Sequence, residues 1–143
     1  MGTPLLSFVI DSSMAMAWVL PDEWSPAADA VLDRVVYEGG HVPFHFPAEY
    51  ANGLTVAMRK GRIDENARSV AYDRYPMLNL ARDLDGPDRM NAAIELADLY
   101  SLTIYDSLYL ELARRLGLPL ATFDDALARA AQRDGVQLAV LTS

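Results

Sequence analysis

The sequence has no cysteine, which excludes disulfide frameworks, thiolate zinc sites and cysteine nucleophiles together and fits a reducing compartment. Histidine is nearly missing as well. His41 and His45 are too few for a histidine-rich metal site, and both read as structural or surface residues bracketing a short strand. Lysine occurs once, at Lys60. Long uncharged apolar runs are also lacking, since charges interrupt every hydrophobic stretch well short of the roughly 18 to 20 residues that a membrane-spanning helix needs. Met1-Gly2-Thr3-Pro4 has no basic leader, and Leu6 stands where a myristoylation motif wants Ser or Thr. A soluble, cytoplasmic protein is therefore expected.

What is present suffices for one core: 143 residues, 52% of them apolar, with no internal repeat, low-complexity tract or linker. One domain over residues 1–143 is the expectation. Twelve basic against twenty acidic residues give a net charge of −8, so an anionic polymer is repelled unless a cation stands between it and the protein.

The almost continuous apolar run 5–10 ends at Asp11 and reads as a strand buried on both faces. Ser12 and Ser13 read as N-caps of a helix over 14–20, which Pro21 ends, and 24–39 reads as a second helix closing on Gly39-Gly40. A second strand is expected over 41–46, and Pro47 opens a helix reaching to about Lys60. A helix over 64–75 is followed by a weak third strand at 77–80 and a polar loop from Arg82 to Pro87. Helices over 88–100 and 104–116 come next, the latter stopped by Gly117. Strands over 118–123 and 136–141, with a helix over 125–133 between them, complete the chain. This alternation implies a parallel sheet with helices on both faces, joined by right-handed crossovers.

In such a sheet ligands bind beyond the carboxyl ends of the strands, so the acids there carry the interest. Asp11 follows the first strand and Asp124 the fourth, while Glu49 and Asp106 lie in the first turns of their helices. Converging carboxylates repel by roughly 4 kcal/mol per pair at about 4 Å and an effective dielectric near 20, unless protons or cations intervene. Oxygen-only ligands suit hard ions such as Mg²⁺ or Mn²⁺. Such ions hold a phosphodiester and lower the pKa of an attacking water, which lets an acidic protein cut an acidic polymer.

Four blocks sharpen this pattern: Phe8-Val9-Ile10-Asp11-Ser12-Ser13, Pro47-Ala48-Glu49-Tyr50-Ala51-Asn52-Gly53-Leu54, Leu102-Thr103-Ile104-Tyr105-Asp106-Ser107-Leu108-Tyr109-Leu110 and Leu120-Ala121-Thr122-Phe123-Asp124. In order and spacing, over nearly the whole chain, they resemble the acidic motifs of PIN-domain VapC-type toxins. The resemblance implies a three-layer α/β/α fold whose central parallel sheet of four or five strands has the order 3-2-1-4-5. It implies an endoribonuclease in which one or two Mg²⁺ or Mn²⁺ ions activate a water. Asp11 and Asp106 would be direct ligands, Asp124 a direct or water-mediated one, and Glu49 a ligand or the orienter of the water.

Ser12, Thr122 and Asn52 resemble residues that support the acids in that family, although a helix cap, a buried strand residue and an ordinary polar contact account for them equally. Asp125 reads as the N-cap of the last helix rather than as a ligand. The resemblance also implies a homodimer and a VapB-type antitoxin, whose tail would wrap over the first helices and set a basic side chain against the acids. Met14, Trp18 and Trp24 are candidates for that groove, against the plainer reading of core packing. Arg59, Lys60 and Arg62 form the one basic cluster, open to RNA backbone or to a favourable helix-end dipole. Neither membrane association nor direct DNA binding is expected.

Two rivals remain. One is another Asp-based metal-dependent phosphoryl hydrolase. A haloacid-dehalogenase phosphatase wants a second Asp where Ser13 stands, and a receiver domain wants a late lysine that the chain lacks. The other is a catalytically idle PIN-like binding module, which would be expected to have lost one or more of the acids.

Overall fold

The computed structural model describes residues 7–139. Strand β1 (Phe8–Ile10) leads into helix α1 (Ser12–Val19), a 3₁₀ turn at Pro21–Glu23 and helix α2 (Pro26–Glu38). Strand β2 (Gly40–Val42), helices α3 (Phe46–Arg59) and α4 (Glu65–Asp73) and strand β3 (Leu80–Arg82) follow. Helices α5 (Met90–Tyr100) and α6 (Ile104–Leu116), strand β4 (Leu120–Ala121) and helix α7 (Asp125–Arg133) end the regular elements. Among the described residues no helix is long and apolar enough to cross a membrane.

The sheet is parallel with the order β3-β2-β1-β4. Its centre is fully buried, as the apolar run promised: Val9 and Ile10 sit beside Leu120 and Ala121. Helices α1, α2, α3 and α4 pack on one another as one layer, whereas α5, α6 and α7 form the other, with α6 also against β1. Helices α1 and α3 approach closely because Gly53 has no side chain; a Cβ there would lie 2.7 Å from the sulfur of Met16. The expected fifth strand is reduced to one parallel bridge between Leu138 and Leu120, and residues 140 and 141, like residues 5 and 6 of the first strand, lie outside the described residues.

Several boundaries differ from expectation for identifiable reasons. Helix α1 is capped by Asp11, whose side chain accepts the Met14 N–H, so Ser12 and Ser13 are already helical. Helix α2 starts at Pro26 behind a Ser25 cap, which leaves Trp24 outside it. Strand β2 stops at Val42 because Pro43, lacking an N–H, cannot extend the ladder, and a turn then delivers α3 at Phe46. The third strand is 80–82 rather than 77–80. Residues 75–77 form a 3₁₀ turn, and Asn79 adopts a left-handed φ of 57° while its side-chain amide donates to the carbonyls of Val35 and Val36. That clip ties the segment before β3 to the end of α2, and β3 then pairs with β2 from Leu80 opposite Gly40.

Candidate active site

Asp11 leaves β1 at the carboxyl end of the sheet and is 3% exposed. Its carboxylate accepts the Met14 N–H at 2.9 Å, the Ser13 hydroxyl at 2.7 and 2.9 Å, and the Thr122 hydroxyl. The Ser13 oxygen in turn accepts the Phe123 N–H at 2.9 Å, and the Thr122 oxygen accepts that of Asp124 at the same distance. The segments leaving β1 and β4 are thus laced together around one carboxylate. Burial pushes that carboxyl up to about 6; the hydrogen bonds oppose the rise, and the charge of Asp106 adds to it.

Asp106 occupies the first turn of α6, where the cap residue Thr103 accepts its N–H at 3.1 Å. Its half-buried carboxyl is raised by burial first and then by the charges of Asp124 and Glu49. Asp124 caps α7 through the Leu127 N–H at 2.8 Å. The expected cap, Asp125, is instead the first, exposed helical residue, because the segment leaving β4 turns into the helix one position earlier.

Glu49, in the first turn of α3, accepts the Tyr109 hydroxyl on Oε1 at 2.7 Å. Nε2 of His45 lies 2.7 Å from the same oxygen, but the alignment is not that of a hydrogen bond, and both buried ring nitrogens lack a directional partner. This contact therefore counts as charge proximity only. Burial pushes the Glu49 carboxyl up, yet His45 and Tyr109 outweigh it and hold the group below its ordinary range. Burial, and then the facing Glu49 charge, holds the Tyr109 phenol well above its own, with the nearby Ser12 hydroxyl opposing the rise.

Asp106 is therefore within electrostatic reach of Asp11, Glu49 and Asp124 at one end of the sheet. Their donors are all hard oxygens, the chemistry that suits Mg²⁺ or Mn²⁺. Among the described residues no three carboxylate or imidazole groups stand together as a ready-made ion cage. Much of the acids' bonding capacity is turned instead to local hydroxyls and N–H groups.

Of the expected supporting residues, Thr122 touches Asp11 directly, whereas Ser12 hydrogen-bonds none of the acids and influences only the Tyr109 phenol. Asn52 is exposed on α3 and hydrogen-bonds none of the acids. Ser13, His45 and Tyr109 are site residues that the sequence reading passed over. Spacing held the signal for two of them: His45 precedes Glu49 by four residues and Tyr109 follows Asp106 by three, which places each pair on one helical face.

The expected groove residues separate. Met14 is fully buried in the core and lines no surface, since it faces inward from the first turn of α1. Trp18 is half-buried and donates its indole N–H to the Ala28 carbonyl at 3.0 Å, while Trp24 is 56% exposed. In the basic cluster, Arg62 is already committed to Asp22 and Glu23.

The PIN domain model matches residues 8–133, a span that holds all four acids. The chain belongs to the PIN-domain family. It is 32% identical over 136 residues to ribonuclease VapC3 of Mycobacterium tuberculosis, covering 90% of each chain. To ribonuclease VapC12 of the same organism it is 31% identical over 121 residues, covering 85% of this chain and 89% of the relative. The crystal structure of PAE2754 from Pyrobaculum aerophilum superposes with a TM-score of 0.68 at 24% identity, over 87% of this chain and 86% of the other, and shares the PIN fold.

Proposed function

We propose that this PIN-domain protein is a Mg²⁺- or Mn²⁺-dependent endoribonuclease and the toxin of a VapBC-type toxin–antitoxin pair. The observation that carries the reading is the state of Asp106, whose carboxyl is pushed up by burial and by the charges of Asp124 and Glu49. Acids from separate elements meet at one end of the sheet with no lysine or arginine ion-paired to them among the described residues, an arrangement that costs stability and that a hard cation relieves. The VapC3 and VapC12 ribonucleases supply RNA as the substrate class.

When bound, one or two divalent ions supply a water of lowered pKa and neutralise charge on the phosphodiester. Asp11 and Asp106 are the direct ligands, and Asp124 a direct or water-mediated one. Ser13 and Thr122 hold Asp11 in place, and the Leu127 N–H holds Asp124 at the start of α7. Glu49, kept ionised by Tyr109 and His45, binds the ion or orients the attacking water. All four acids are present, which favours catalysis over an idle binding module.

The partner is a VapB-type antitoxin whose basic side chain meets this acidic end of the sheet, and the toxin acts as a homodimer. Purified protein free of antitoxin is expected to cleave RNA with Mg²⁺ or Mn²⁺, and Asp106→Asn to lose that cleavage. Undiminished cleavage in excess EDTA rejects the mechanism, and growth unaffected by expression without the antitoxin rejects the toxin role.

A further inference from the structure

We infer that Tyr109 is a positioning residue for Glu49: its buried hydroxyl fixes one carboxylate oxygen and so decides which oxygen is left for a cation or a water. The inference rests on the metal-nuclease reading above.

The Tyr109 hydroxyl has one proton to donate, and Oε1 of Glu49 receives it at 2.7 Å. The ring has little freedom to turn away. It is 1% exposed, and the His45 ring packs edge-on against it with centroids 5.1 Å apart. His45 is itself flanked by Phe44 and Tyr105, each at 5.8 Å. The backbone at Gly86 backs this stack so tightly that a Cβ would fall 2.1 Å from the Phe44 ring. A hydroxyl on so confined a ring fixes its acceptor. Oε2 of Glu49 has no hydrogen bond among the described residues, and the Glu49 charge is felt by Asp106. Hydrogen bonds behind a ligating carboxylate commonly change metal affinity by about 10- to 100-fold.

The test is a Mn²⁺ titration by calorimetry on wild type, Tyr109→Phe, Glu49→Gln and the double variant, with RNA cleavage measured in parallel. Tyr109→Phe keeps the ring and removes only the bond. It is expected to weaken Mn²⁺ binding on the order of tenfold and to add nothing once Glu49 is Gln. Wild-type affinity in Tyr109→Phe overturns the inference, and so do additive effects in the double variant. If wild type binds no Mn²⁺, the metal reading falls and takes this inference with it. If wild type binds and Tyr109→Phe matches it, only the positioning role falls.

Discussion

Thr122, 111 residues from Asp11 along the chain, donates its hydroxyl to the Asp11 carboxylate and so joins the carboxyl ends of β1 and β4. The same Thr122 oxygen accepts the Asp124 N–H, so one side chain aligns two of the four acids. Thr122→Val keeps the shape and deletes both functions. A buried bond to an ionised group contributes about 1.5–3 kcal/mol, and a loss of that order is expected in urea unfolding at pH 8. The loss should shrink at pH 5, where a protonated Asp11 depends less on its donors. Equal loss at both pH values counts against a charged Asp11 as the partner.

Asp11 itself links pH to stability in the metal-free protein. Its carboxyl is raised from 3.8 to about 6, chiefly by burial, so the folded state holds a proton that the unfolded state has released. Stability from this group is then complete below pH 3.8 and is lost as pH rises through about 6. The linkage equivalent is on the order of 3 kcal/mol. Asp11→Asn can still cap α1 and carries no charge, so in EDTA it should unfold at a higher temperature than wild type at pH 7.5. That advantage should vanish by pH 4. A difference between the two proteins that stays constant across the range would show that Asp11 is not the group responsible.

The two acids that end apolar runs, Asp11 and Asp124, were legible in the sequence, because a buried parallel strand shows as a hydrophobic run and its end as the first acid. The placement of Glu49 and Asp106 in helix first turns was legible from Pro47 and from the apolar spacing over 104–116. What pattern could not show was tertiary. The cap of α1 went to Asp11 rather than to a serine because that carboxylate also collects the donors of β4. The register of β3 depended on Asn79, whose amide reaches α2 some 44 residues back. Tyr109 and Met14 both read as apolar positions at helical spacing. Only packing separates a phenol aimed at Glu49 from a thioether buried in the core.

Away from the acids, Arg115 clamps α6 to the segment following β3. Its guanidinium donates to both oxygens of Asp83, at 2.8 and 3.2 Å, and to Glu111 at 2.9 Å. These bonds hold the Asp83 carboxyl below its ordinary range, so their contribution is present above the unfolded pKa and is lost as pH falls through the folded one. Arg115→Met retains most of the stem but leaves two poorly exposed carboxylates without their shared cation. A destabilisation of about 1–3 kcal/mol is expected at pH 7, between the values for exposed and for buried pairs. It should be smaller near pH 3. Unchanged stability at neutral pH would mean that the network contributes nothing to holding α6.

Divalent ions should separate a binding role for Asp106 from a structural one by the sign of two effects. In EDTA its carboxylate is half-buried among like charges, raised first by burial and then by Asp124 and Glu49, so Asp106→Asn removes repulsion and should raise the melting temperature at pH 7.5. In Mn²⁺ the order should reverse. A ligand at a hundredfold its Kd stabilises by about 2.7 kcal/mol, which for a domain of this size moves the midpoint by roughly 5–10 °C. Wild type should show that rise, and the variant, with a direct ligand gone, should show little of it. A carboxylate that merely packed would lower stability when replaced whether or not the ion was present. Melting curves of both proteins in EDTA and in millimolar Mn²⁺ decide the matter, and equal Mn²⁺ shifts in the two would remove Asp106 from the ion site.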